Sequence, residues 1–240
     1  MSQIYNLCIT GPIGVGKSTL IEKLEHYFDR TNKKYEIIPE YLGIDPVDGQ
    51  NLLERKIKGE ISNLTFQNYI VDMYSMKMRK THRNGKILIY ERIPEDSILC
   101  FANISNQTRR QHPEEQYLEL TDFDLYILKN RFERLRQFYS LPAYSDFKTE
   151  FKLFTDPTLE EVINLIESDL TEGVTHRVIG LDIDTDECLR RIQKRNRNGE
   201  DGYSREFIDT IVKFYKNLYK QIIEDKSKLS DFTFIGSLVN

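Results

Sequence analysis

Long apolar stretches are missing from this chain. No run approaches the roughly eighteen consecutive apolar residues of a membrane helix, so no span is expected. Cysteine is scarce. Cys8, Cys100 and Cys188 are odd in number, lack metal spacing and fall in apolar or helical stretches. They read as buried free thiols in a reducing compartment. Met1-Ser2-Gln3 runs straight into apolar residues, which leaves no room for a secretory or mitochondrial leader, so the expected location is cytoplasmic. The four histidines include no H-E-x-x-H pair, which argues against a zinc hydrolase. A basic surplus is lacking too: Lys and Arg total 34 against 38 acidic residues, a net charge of −4, and no nucleic-acid surface is implied. No linker, repeat or low-complexity tract divides residues 1–240, so one domain is expected. The Asn-Lys-x-Asp motif by which a GTPase reads its base does not follow any late strand. Asn32-Lys33 lies too early, beside the first helical segment.

What is present begins at residue 4. Ile4, Leu7, Cys8 and Ile9 form an apolar run that predicts a buried strand. It leads into Gly11-Pro12-Ile13-Gly14-Val15-Gly16-Lys17-Ser18, a full match to G-x-x-x-x-G-K-[ST]. Leu20, Ile21, Leu24, Tyr27 and Phe28 then recur at helical spacing. Strand, loop and helix are the context in which this motif cradles a nucleotide. Gly11, Gly14 and Gly16 let the backbone bend and aim N–H groups at phosphates. Lys17 supplies a mobile cation, the hydroxyl of Ser18 is a hard ligand for Mg²⁺, and Thr19 continues the cradle. ATP and Mg²⁺ are therefore the expected cofactors.

Further strands are predicted at Tyr35–Ile38, Ile87–Tyr90, Val178–Ile183 and Phe232–Ile235, with residues 41–50 as a loop and helices between the strands. Residues 141–156, with one proline and four aromatics, support no assignment. Apolar strands alternating with helices predict an α/β fold: a five-stranded parallel sheet of the P-loop NTPase type, with helices on both faces and a helical lid over 187–202. Residues 105–157 read as an insertion. Ligands of such sheets bind at the carboxyl ends of the strands. That rule selects Glu40 as a possible proton acceptor, Glu91 as a Mg²⁺ ligand and Arg92 as a phosphoryl clamp. It also selects the basic segment Arg190–Arg197, where five of eight residues are cationic and call for an anionic partner.

The ordered set of motifs resembles the deoxyribonucleoside kinase family. The matching pieces are Gly11 to Thr19, Ile38-Pro39-Glu40, Gly49 to Glu54, Phe66-Gln67-Asn68-Tyr69, Tyr90-Glu91-Arg92, Phe101-Ala102 and Arg195 to Glu200. The resemblance implies roles. Glu40 would be the base for a nucleoside 5′-hydroxyl, with Arg92 holding that hydroxyl and the phosphoryl group. Gln67 would pair with the base edge, Phe101 would stack on the base, and Glu200 would reach the sugar 3′-hydroxyl. Arg195 and Arg197 would clamp phosphates with Arg191 in support. A deoxynucleoside substrate and a homodimer follow from the same likeness.

Departures from the family pattern are informative. Ile57 stands where a sugar-binding tyrosine is expected, and Ile93-Pro94 replaces the residues after Glu-Arg. Tyr74 and Ser97 stand where one branch carries an Arg and an Asp for amino-bearing bases. These changes favour a pyrimidine over a purine. Two other readings stay open at this point. One is a nucleoside monophosphate kinase using Arg55, Arg79 or Arg109-Arg110 for the acceptor phosphate. The other is a nucleotide-binding regulator with no acceptor.

Overall fold

The computed structural model describes residues 4–81, 86–114, 116–144, 149–196 and 200–224. Its centre is strand β1 (Tyr5–Thr10), all six residues of which are buried. The strand is flanked on both edges and covered on both faces, so even its polar residues, Asn6 and Thr10, are buried with Tyr5, Leu7, Cys8 and Ile9. β3 (Ile87–Glu91) and β5 (His176–Asp182) pair with it in parallel. β2 (Tyr35–Ile38) adds to β3, and β4 (Thr149–Thr155) adds to β5. The order β2-β3-β1-β5-β4 makes a five-stranded parallel sheet.

Side-chain alternation along β1 feeds two cores. Tyr5, Leu7 and Ile9 point to a layer with α1 (Lys17–Arg30), α7 (Leu159–Glu172) and α8 (Thr185–Arg195). Cys8 points to the other layer. That layer holds α4 (Asn63–Lys80), α9 (Arg205–Glu224) and a π-helical segment, Ser97–Ala102, which runs into α5 (Asn103–Gln111). Burying Leu24 and Phe28 of α1 completely contributes about 2 kcal/mol each. α6 (Asp122–Tyr139) lies beside α4 and opens with a capping box between Thr121 and Asp124. The three cysteines are free and buried, as their apolar setting suggested.

Two stretches differ from the sequence-based expectation. Residues 41–50 are not a loop: α2 (Tyr41–Ile44) and α3 (Pro46–Ile57) occupy them. Asp45 caps α3, its side chain accepting from the Asp48 N–H at 3.2 Å, and Pro46 takes the first helical position, where a missing N–H costs nothing. Within 141–156 lies β4, hidden because an edge strand alternates rather than running apolar. Phe151 and Leu153 face one core, Phe154 faces the other, and Lys152 is exposed. The strand expected at Phe232–Ile235 lies outside the described residues. Among the described residues, no helix is long and apolar enough to cross a membrane.

Candidate active site

The carboxyl ends of β1, β2, β3 and β5 open onto one cavity of about 1180 Å³. The phosphate loop lines one part of it. Gly11, Gly14 and Gly16 all have positive φ, at 146°, 81° and 109°, which only glycine adopts without strain. At Gly14 space is also short, since a Cβ would lie 3.0 Å from the Cys188 carbonyl oxygen and 3.1 Å from Ile192 of α8. The loop and the basic helix are thus packed directly together. Thr19 is exposed within the same cavity.

Lys17 is 6% exposed, and its Nζ donates to the carbonyl oxygens of Pro12 at 3.0 Å and Gly11 at 3.3 Å. Burial, with the charge of Arg92 nearby, lowers its pKa to about 8. Glu40 Oε1 is 3.9 Å from Nζ. Ser18 donates to Glu91 Oε1 at 2.5 Å, bringing a hydroxyl and a carboxylate together at the start of α1. Burial, reinforced by the Glu40 charge, raises the pKa of Glu91. A pair of carboxylates that oppose each other's ionisation is a site a cation would relieve.

Arg92 ties the pieces together. It follows β3 with φ at +70°, unusual for a non-glycine residue, and its own N–H donates to Ile9 at 2.8 Å. This turn swings the side chain across the loop. Nε donates to Glu40 Oε1, and Nη1 donates to the Gly11 carbonyl at 2.6 Å and the Tyr215 hydroxyl at 2.5 Å. Its guanidinium carbon stands 5.2 Å from the centroid of the Phe101 ring. Tyr215, on the buried face of α9, gave no signal in the sequence because its spacing is that of an ordinary core residue.

Behind the loop, Thr10 donates to Asp96 at 2.5 Å and Tyr144 donates to the other oxygen of Asp96 at 2.6 Å. The Tyr144 N–H donates to the buried Glu95 at 2.8 Å, yet burial still pushes the Glu95 pKa up to about 7. These buried groups also went unmarked in the sequence.

The rest of the cavity takes residues from α4, the π-helical segment and α5. Gln67 is 2% exposed; its Nε2 donates to Asn63 at 3.4 Å, while its Oε1 has no hydrogen-bond partner. Phe101 and Tyr74 line the same space, and the Tyr74 hydroxyl donates to the Glu91 carbonyl at 3.4 Å. On the α8 side, Arg191 donates to the Val15 carbonyl at 2.8 Å and to Glu187 at 2.7 Å. Arg195 donates to both oxygens of Glu200, at 2.6 and 2.7 Å. Arg197 lies outside the described residues. Arg55, Arg79, Arg109 and Arg110 do not line the cavity, and Arg109 and Arg110 bond Gln116 and Asp122 instead.

A phosphate loop, a strand-end carboxylate bonded to a buried arginine, and a deep cavity beside them define a phosphotransferase of the P-loop class. Sequence comparison makes the assignment particular: a family model described as deoxynucleoside kinase matches residues 7–139, so the chain belongs to the deoxynucleoside kinase family. Its activity is ATP-dependent phosphorylation of a deoxynucleoside. Solved structures with the same fold include deoxyadenosine kinase from M. mycoides with bound dATP. That structure has a TM-score of 0.53 and 19% identity, over 92% of this chain and 86% of that one. A second, with the products dCMP and a flexible dCDP bound, has a TM-score of 0.53 and 20% identity, over 92% and 85%. No protein of curated function matches this chain in sequence.

Proposed function

We propose that this enzyme transfers the ATP γ-phosphoryl group to the 5′-hydroxyl of a pyrimidine deoxynucleoside, with Glu40 as the general base. The observation that carries the reading is the meeting of Glu40, Arg92 and Lys17 at the mouth of the phosphate loop. Glu40 is only partly buried, so it can face a substrate hydroxyl and accept its proton. Arg92, fixed by Glu40, Gly11 and Tyr215, presents positive charge where the transferring group carries negative charge. Lys17 and Arg191 neutralise the triphosphate, and Arg195 and Arg197 join them when the α8 end closes. In this reading Glu200, which lines the cavity and is bonded to Arg195, receives the sugar 3′-hydroxyl.

The donor set at Ser18 and Glu91, a hydroxyl and a carboxylate that burial and Glu40 make costly to ionise, fits Mg²⁺. When bound, that ion offsets charge on the outer phosphates. In the acceptor cavity, Gln67 offers its orphan carbonyl to a base edge and Phe101 offers its ring as a stacking face. A pyrimidine is favoured because Tyr74 and Ser97 line the wall with uncharged side chains. A homodimer belongs to the same proposal and is supported by exposed Phe123, Tyr126 and Phe138 on α6.

The test is a coupled assay offering each deoxynucleoside and thymidine monophosphate with ATP. Turnover of nucleosides is expected, because the arginines a monophosphate would need do not line the cavity. Turnover of the monophosphate alone would refute the reading. Turnover of neither, with ATP still bound, would favour a regulator.

A further inference from the structure

One stretch of the cavity wall is a chain of hydrogen bonds whose direction is fixed at one end. Asn63, Gln67, Ser105 and Glu119 all line the cavity. The connection between α5 and α6 docks on the first turn of α4, where the Asn63 N–H donates to the Leu118 carbonyl at 2.9 Å. That contact delivers Glu119. Its Oε2 accepts from Asn63 Nδ2 at 2.8 Å and from the Ser105 hydroxyl at 2.5 Å. The Ser105 oxygen itself accepts from the Leu120 N–H at 3.0 Å, so its own proton is directed to Glu119.

A carboxylate only accepts. Asn63 must therefore turn its NH₂ toward Glu119 and its Oδ1 toward Gln67. Gln67 must then turn Nε2 toward Asn63, at 3.4 Å, which leaves Oε1 as the buried, unpartnered acceptor. An asparagine or glutamine amide can normally rotate to suit either partner. Here Glu119 removes that freedom two residues away.

Base edges come in two patterns. Cytosine and adenine carry an exocyclic amino donor beside a ring acceptor; thymine and guanine carry a carbonyl beside a ring N–H. An amide held in one orientation pairs with one pattern for a given placement of the sugar. Charge decides which. Of the four residues in the chain only Glu119 is charged, and a carboxylate attracts amino hydrogens and repels a carbonyl oxygen. We infer that Glu119, acting through Asn63, holds Gln67 as an acceptor and makes the site prefer an amino-bearing base over its keto counterpart, cytosine over thymine and adenine over guanine. Glu119 is a positioning residue, since it acts on the base through the Gln67 amide. The inference rests on the cavity being the deoxynucleoside pocket proposed above.

The experiment is kcat/KM for deoxycytidine, deoxyadenosine, thymidine and deoxyguanosine in the wild type and in Glu119→Gln. The wild type is expected to favour each amino base over its keto counterpart by at least about tenfold, the low end for one hydrogen-bonded base contact. A glutamine can donate as well as accept, so the variant frees both amides. Its deoxycytidine-to-thymidine ratio should fall about tenfold through KM, with kcat little changed. A general loss of structure would lower all four substrates together. Thymidine matching or exceeding deoxycytidine in the wild type overturns the inference, as does an unchanged ratio in an active variant. Calorimetric binding of deoxycytidine and thymidine to the wild type decides the matter if the variant does not fold. Turnover of none of the four nucleosides sinks the pocket assignment itself, a result distinct from a preference for the keto bases.

Discussion

Arg92 and Glu40 lie 52 residues apart in sequence and are joined by a hydrogen bond from the guanidinium Nε to the carboxylate Oε1. The same guanidinium holds the Gly11 carbonyl, so the base candidate and the phosphate loop are braced by one side chain. Replacing Glu40 with Gln keeps the shape and removes the proton acceptor. ATP affinity should stay within about threefold while kcat falls roughly 10²–10⁴-fold, the usual contribution of a general base. Arg92→Lys should also lose at least about 10²-fold in kcat, because one ammonium cannot serve three partners in the guanidinium plane. Single-turnover kinetics with titrated ATP measure both. An unchanged kcat in Glu40→Gln would remove the residue from the chemistry.

Ser18 and Glu91 make the second prediction. Ser18→Ala deletes the hydroxyl that meets the carboxylate at 2.5 Å. The Mg²⁺ concentration for half-maximal rate should rise about tenfold or more, and Glu91→Gln should act in the same direction. Chelation of Mg²⁺ should stop turnover in the wild type, with recovery on adding it back. Rates indifferent to Mg²⁺ in all three proteins would contradict the assignment.

Gln67 separates stability from function. Its Oε1 is buried without a partner, so Gln67→Leu removes a group that burial disfavours while sacrificing only the long contact to Asn63. Thermal stability should change by no more than about 1 kcal/mol. Nucleoside kcat/KM should fall roughly 30- to 150-fold, equivalent to about 2–3 kcal/mol of lost base recognition. A large stability loss with intact kcat/KM would mark Gln67 as a packing residue.

Glu95 gives a pH dependence. Burial raises its pKa from the ordinary 4.5 to about 7 in the folded protein. Between those values the folded state holds a proton that the unfolded chain has released, so stability falls as pH rises from 4.5 to 7 and then levels off. The full span is at most about 3 kcal/mol, from 1.36 kcal/mol per pKa unit. Denaturant melts from pH 5 to pH 8 should show a decline in the wild type that is reduced in Glu95→Gln. Parallel curves for the two proteins would exclude this source.

Legibility in the sequence followed the range over which each signal acts. The phosphate loop was plain because its whole signal lies in eight consecutive residues, Gly11 to Ser18. Glu40, Glu91 and Arg92 were legible because each ends an apolar strand. The Arg92–Tyr215 and Thr10–Asp96–Tyr144 contacts were not, since their partners lie 123, 86 and 48 residues apart and no local pattern marks them. β4 escaped because it alternates, as Phe151-Lys152-Leu153 shows, instead of running apolar like the strands that were read. α3 escaped because Asp45-Pro46 looks like a turn until the Asp48 N–H is seen bonding back to it. Glu119 sits in a polar stretch with no motif, and only the docking of its loop on α4 brings it to the cavity wall.

The place of β1 between β3 and β5 has an evolutionary corollary. The phosphate loop and α8 line the proposed triphosphate end of the cavity, while Asn63, Gln67, Phe101 and Glu119 line the proposed acceptor end from another part of the chain. Mutations can therefore accumulate in one half while selection guards the other. A lineage built on this scaffold can exchange its nucleoside diet through a few substitutions around α4 and the α5–α6 connection, and inherit its engine for handling ATP unaltered.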